Sequence, residues 1–154
     1  MLNVNYITMD HQFTEREQIA ETVSKLFVFT DNQEWIKLRE EVFTSDIELD
    51  MVSMGAEKPE IVSSREICYR WEKAFAELDA IHHQAGNYLV NVRDNQAEVY
   101  AYSIASHYKE AARKGKTREF VGSYDLHLMK TTAGWRIDKF KYNLKYSTGN
   151  MTLE

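Results

Sequence analysis

The feature that most constrains this chain is a change of period near residue 80. From there to residue 144, apolar and polar side chains alternate in four long runs, 81–92, 97–108, 118–130 and 135–144. A period of two is that of a strand with one buried face. The runs are separated by Arg93-Asp94-Asn95-Gln96, by a basic glycine-containing stretch at 109–116, and by Thr132-Ala133-Gly134. Such short breaks join antiparallel neighbours. The second half therefore predicts a four-stranded meander.

The first half has the period of a helix. Thr14-Glu15-Arg16-Glu17 has the form of a capping box, and Ile19, Val23, Leu26 and Phe27 follow at helical spacing. A second helix carries Trp35, Leu38 and Val42 on one side. Residues 47–52 alternate as a strand, and Ser63-Ser64-Arg65-Glu66 opens a third helix marked by Ile67, Trp71, Phe75 and Leu78. Helices grouped before a meander predict an α+β domain, with three N-terminal helices packed on one face of a strongly curved, mostly antiparallel sheet. Residues 1–12 read as a loose leader, 13–146 as the domain, and 147–154 as a polar, fraying tail.

Composition narrows the function. A chain of 154 residues with a formal charge of −5 does not look like a nucleic-acid or anionic-membrane binder. It has no apolar run long enough to cross a bilayer. Cys68 is the only cysteine, so no internal disulfide can form, and a cytoplasmic location is expected.

Strand parity then sorts the candidate site residues. Along 97–108 one face carries Ala97, Val99, Ala101, Ser103, Ala105 and His107, and the other Tyr100, Tyr102, Ile104 and Tyr108. The small-residue face leaves room for a helix or a ligand. The aromatic face needs a cover, and Tyr100, Tyr102, Tyr108 and Tyr124 form the expected homodimer or homotrimer interface. His83 shares a face with Ala85, Asn87 and Leu89, while His82 points the opposite way. On the next strand Ser123, Asp125 and His127 share one face. If the sheet curls around its small-residue face without a bulge, His83, His107, Ser123 and Asp125 line one cavity. Asp31, between the first two helices, is the third ionisable candidate. Its competing reading is an N-cap of the second helix, with Glu34 three residues on. Trp35, Trp71 and Phe75 read as core and pocket wall.

The order of elements, the Asp31-x-x-x-Trp35 segment and the closing Gly134-Trp135-Arg136-Ile137 strand resemble the SnoaL-like family of the nuclear-transport-factor-2-like superfamily, over roughly 13–146. Within it the placement of Asp31, His83 and His107 looks most like scytalone dehydratase. The resemblance implies a cone-shaped, cystatin-like fold. It also implies an acid–base centre of Asp31, His83 and His107 that uses no cofactor and no metal. Substrate contacts would fall to Ser123 and Asp125, with Trp35, Met51 and Asn87 beside them. Two tyrosines that hold a water against the substrate carbonyl in that enzyme are replaced here by Thr30 and Met51, so scytalone itself is not the expected substrate.

Histidine suits a proton shuttle because both of its forms are accessible near neutrality, and a carboxylate can fix its tautomer. The expected activity is a cofactor-independent, dehydratase-like lyase or isomerase acting on a small cyclic or aromatic carbonyl compound. The alternative is a non-catalytic ligand-binding or scaffolding module, such as a small subunit of a ring-hydroxylating oxygenase. A third reading takes the two histidines and the carboxylate as a facial triad for iron.

Overall fold

A computed structural model describes residues 13–154. The expected leader at 1–12 lies outside the described residues. Helix α1 (Glu15–Asp31) starts as its sequence predicts: Thr14 Oγ1 accepts the Glu17 amide at 3.2 Å, and the Glu17 carboxylate accepts the Thr14 amide at 2.7 Å. A cap of this kind is worth about 1 kcal/mol. Ile19, Val23, Leu26 and Phe27 are buried along one stripe.

The helix ends in a Schellman-type closure. The Gln33 amide donates to Thr30 O at 3.0 Å and the Glu34 amide to Phe29 O at 2.8 Å, with Gln33 at φ 55°. Asp31 is therefore the last residue of α1, not the N-cap of the next helix. That next helix is a single turn, α2 (Trp35–Lys37), followed by a wide π turn, Leu38–Val42. The wide turn buries Leu38 and Val42 completely and leads straight into strand β1 (Phe43–Asp50), which begins four residues before the predicted strand at 47–52.

A short strand without a predicted counterpart, β2 (Glu60–Ser63), pairs with β1. At four residues it is too brief to show a period. Ser63 Oγ accepts the Glu66 amide at 3.1 Å and caps α3 (Ser64–Phe75). The meander follows as β3 (Ala80–Arg93), β4 (Gln96–Tyr108), β5 (Thr117–Thr131) and β6 (Gly134–Gly149). The sheet order is β2-β1-β6-β5-β4-β3, with only the β1–β6 pair parallel. Helices α1 and α3 pack on one face, giving the expected α+β cone.

Two local features depart from the simple alternation. Between Gly86 and Leu89 the register of β3 on β4 slips, with Asn87 at φ 55°. This is a β-bulge, and it reverses side-chain parity beyond it. Tyr88, Val90 and Val92 pack toward the core, while Asn87 and Leu89 are exposed. The C-terminal stretch, expected to fray, is held. Leu153 is buried, and the Arg113 and Lys114 amides donate to Glu154 O at 2.8 and 3.2 Å.

Gly122 sits where β5 crosses the inner face. A Cβ added there would lie 2.3 Å from Asn143 O and 2.6 Å from the Tyr142 hydroxyl. Backbone blocks the first contact and a buried ring the second, so the strain has no outlet. Gly122→Ala is expected to cost about 3 kcal/mol, seen as a lower urea midpoint with an unchanged slope.

Candidate active site

The inner face of the cone lines a small, half-open apolar cavity of about 100 Å³. Leu26, Phe27 and Thr30 of α1 form one side, and Trp71 and Phe75 of α3 another. His83, Tyr124, Phe140 and Met51 complete the wall. Trp71 and Phe75 are thus pocket wall, as their sequence pattern suggests. Trp35 is not: it stacks behind Phe75, with ring centroids 6.3 Å apart.

His83 reaches the cavity from β3, the edge strand of the sheet. Its backbone N–H has no strand partner on that side and donates to Asp31 Oδ2 at 2.8 Å. Its ring Nδ1 lies 2.6 Å from Asp31 Oδ1. Both carboxylate oxygens are thus spent on one residue 52 positions away. A carboxylate only accepts, so Nδ1 carries the proton and Nε2 the lone pair. No partner occupies Nε2 among the described residues. The ring packs on Phe27 at 5.4 Å between centroids, and the side chain is 8% exposed against 15% for Asp31. His82 points out, 73% exposed, with its Nδ1 3.9 Å from Asp31.

The helix around Asp31 gives it no support. A carboxylate in the last turn of a helix faces the negative end of the macrodipole, and α1 has no basic residue in that turn. The two N–H groups of His83 compensate this placement.

His107, on β4, is diagonal to His83 across the β3–β4 ladder. It shares the inner face with His83 but is not hydrogen-bonded to His83 or Asp31, and it is not on the cavity wall. Its Nδ1 accepts from Arg118 Nε at 3.1 Å, and Arg118 is its direct partner on β5. Guanidinium does not give up its proton in proteins, so His107 is neutral with its hydrogen on Nε2. Phe75 and Phe120 flank the ring at 5.2 and 5.4 Å. Burial first, then the charges of Arg118 and His83, push its pKa down to about 4, against a smaller upward pull from Asp31. The same Arg118 donates to Met151 O at 2.9 Å, tying the C-terminal stretch to this corner.

Ser123 and Asp125 are not in the cavity. Cross-strand partners share a face, and they pair with Tyr102 and Tyr100 on the outer side. Asp125 accepts from Asn143 Nδ2 at 2.7 Å. Asn87, at the bulge, is also outside. Met51 is on the wall. Tyr124, expected at the outer interface, is buried on the inner face. Parity places it there once Ala101 is its partner. Arg118 escaped sequence reasoning because it opens its strand directly after the basic stretch at 109–116, where one more cation carries no signal of its own.

A larger open groove of about 960 Å³ crosses the outer sheet face and holds a second imidazole–carboxylate pair, His127 Nδ1 to Asp138 Oδ1 at 2.6 Å. Its Nε2 is 3.2 Å from Gln96 Oε1, so neither ring nitrogen is left for chemistry. Among the described residues, no group of three or more His, Cys, Asp or Glu side chains is arranged to hold a metal ion. No helix among them is long and apolar enough to cross a membrane.

Comparison with known proteins agrees with this architecture. The profile of the SnoaL-like domain matches residues 11–141. No curated protein sequence gives a significant match. Among solved structures, a Kribbella flavida protein is 25% identical with a TM-score of 0.85, covering 90% of this chain and 95% of its own. A candidate scytalone dehydratase of Novosphingobium aromaticivorans is 15% identical at TM-score 0.76, over 88% of this chain and 87% of that one. A candidate aromatic ring hydroxylase of the same organism is 19% identical at 0.74, over 92% and 99%. The latter two likenesses are of fold.

The burial of a neutral His107 has a thermodynamic signature. An unfolded chain takes up a proton at the ordinary histidine pKa of 6.5, whereas the folded chain does not until about 4. Stability from this group is complete above pH 6.5 and is lost as pH falls toward 4, by at most about 3 kcal/mol. Urea midpoints at pH 7 and 4.5 should therefore separate more for the natural chain than for His107→Gln.

Proposed function

The chain belongs to the SnoaL-like domain family, and we propose that within it this protein is a cofactor-independent lyase or isomerase. The supporting observation is the Asp31–His83 pair, with His83 on the wall of a half-open apolar cavity and its Nε2 without a partner among the described residues. The small volume suits a single ring. An α-proton of a cyclic or aromatic carbonyl compound is the proton such a base would take. The name of one fold neighbour, a candidate scytalone dehydratase, is in keeping with an elimination.

The steps follow from the tautomers. His83 Nε2 removes the α-proton, and the C–H electron pair becomes the new C=C bond as the carbonyl π pair moves to oxygen. Asp31 stabilises the imidazolium through the Nδ1 hydrogen bond and keeps the ring aimed. The same imidazolium is then the acid that protonates a departing hydroxyl. Electrons return from the enolate, the C–O bond breaks, and water leaves. Without a leaving group, return of the proton to another carbon gives isomerisation. His107 is a neutral donor through Nε2–H, not the proton shuttle, because Arg118 occupies its other nitrogen.

The proposal extends to assembly and location. On the outer face, Ile104, Val121 and Tyr146 share a rung, with Tyr102 beside it. Tyr102, Ile104 and Tyr146 are 43%, 43% and 58% exposed. A band of this kind suits self-association of the chain, without Tyr124. Cys68 is buried, with burial pushing its thiol up to about 11, an inert thiol that suits the cytoplasm.

The test is turnover of cyclic and aromatic carbonyl compounds first selected by thermal shift. His83→Ala is expected to lower kcat by 10³-fold or more, and Asp31→Asn, which presents the wrong tautomer, by about 10²–10⁴. His107→Gln should cost less than either. Full activity in His83→Ala on a verified substrate would overturn the reading and leave the non-catalytic module. For assembly, Ile104→Glu should convert an oligomer to a monomer in light scattering at unchanged thermal stability.

A further inference from the structure

A base that creates an enolate needs a donor for the oxygen that becomes negative. The cavity wall offers few. The Thr30 hydroxyl is spent on Leu26 O at 2.7 Å. Leu26, Met51 and the phenylalanines have none, and Trp71 offers an indole N–H from the α3 side. His83 is the base. Among the described residues, Tyr124 carries the one other hydroxyl on that wall.

Its position is tightly held. The ring meets Phe27 at 5.2 Å, Phe140 at 5.3 Å and Tyr142 at 4.9 Å between centroids. Phe27 in turn packs on His83, so base and phenol are two sides of one aromatic box. Burial first, then Tyr142, drives the Tyr124 hydroxyl well above the ordinary tyrosine range, which keeps it a proton-bearing donor. On the neighbouring strands stand two further inward hydroxyls, Ser103 of β4 and Tyr142 of β6. Both are sealed from solvent and have no hydrogen-bond partner among the described residues. Ser103 is near enough to bias Tyr124 but does not reach hydrogen-bond geometry with it. Gly122, the cross-strand partner of Ser103, leaves the gap into which the Tyr142 hydroxyl projects. Buried hydroxyls are normally satisfied, so these two orphans beside Tyr124 form a polar patch on the inner face that the described residues leave unsatisfied.

We propose that Tyr124 is the catalytic donor that binds the substrate's carbonyl oxygen, with the rings of Phe27, Phe140 and Tyr142 holding the phenol in place. The inference rests on the reading of His83 as base. It narrows the substrate to an enolisable carbonyl whose oxygen lies on the β5–β6 side of the cavity and whose α-carbon lies on the β3 side. As the proton moves from Cα to His83 Nε2, charge gathers on the carbonyl oxygen. Tyr124 donates a hydrogen bond to it and keeps its own proton throughout.

Tyr124→Phe removes one oxygen and keeps the ring packing. Two readouts test it. Substituted nitrophenols mimic an enolate when ionised, and their absorbance reports the bound form. The natural chain should bind them at least 10-fold more tightly than Tyr124→Phe, while the melting temperatures stay within about 2 °C. In turnover, kcat should fall 10²–10³-fold with little change in KM. Equal phenolate binding by the two proteins overturns the assignment, as does Tyr124→Phe turnover within twofold of the natural chain. If Tyr124→Phe weakens phenolate binding but His83→Ala stays active, the oxygen site stands and the base assignment falls. If His83→Ala is inactive and phenolate binding ignores the hydroxyl, the base stands and the oxygen site falls.

Discussion

The structure depends on one carboxylate satisfying an unpaired strand edge. β3 ends the sheet, so half of its backbone groups face no strand. Exposed edges of this kind invite wrong pairing. Here α1 lies along the edge and closes it with side chains. Arg16 donates to Tyr88 O and Val90 O at 3.2 and 3.4 Å, and Asp31, at the other end, accepts the His83 amide. Once that bond forms, the second oxygen of Asp31 is within reach of the His83 ring. Edge protection and tautomer control are one contact. This also explains why a carboxylate is kept at the unfavourable end of a helix: a neutral side chain could meet the amide, but it would not impose a lone pair on Nε2.

The two inward histidines show how one face of a sheet makes different chemical species from the same residue. His83 has a carboxylate against Nδ1, which fixes the hydrogen on that nitrogen. His107 has a guanidinium against Nδ1, which opposes a second proton both by charge and by occupying the lone pair. Burial acts in the same direction on His107. On His107 burial is the larger cause and the Arg118 charge adds to it.

Much of this was legible in the residues. The period of two marked β3 through β6, the capping box marked α1, and Asp31 and His83 stood out as ionisable groups beside apolar runs. What was not legible is what depends on register. Ser123 and Asp125 fall on the outer face only because β5 pairs Gly122 with Ser103 and Tyr124 with Ala101, a pairing set by hairpin geometry that alternation alone does not specify. Asn87 leaves the site because it is itself the bulge, where a side chain that tolerates positive φ is needed. The N-cap reading of Asp31 failed because α1 runs through Asp31 and closes on a Schellman turn at Gln33, which lacks the usual glycine signal, so the next helix starts only at Trp35. The metal reading needed three ligands around one point, and Arg118 turns the third away.

The placement of hydroxyls carries the last step of synthesis. The enzyme that the chain resembles carries tyrosines at the positions of Thr30 and Met51, and both residues do line this cavity. Neither offers a free donor here, one being bonded to its own helix and the other having none. The inner face of β5 and β6 instead carries Tyr124 and Tyr142 as direct cross-strand partners. A donor on a central strand, flanked by neighbours on both sides, is held more rigidly than one at a helix end or in the loop after a strand. Rigidity matters most for a group that must be in place before charge develops. The cone thus keeps the Asp31–His83 pair at the edge, where α1 sets the tautomer, and its polar hydroxyls at the centre, where the sheet holds them still.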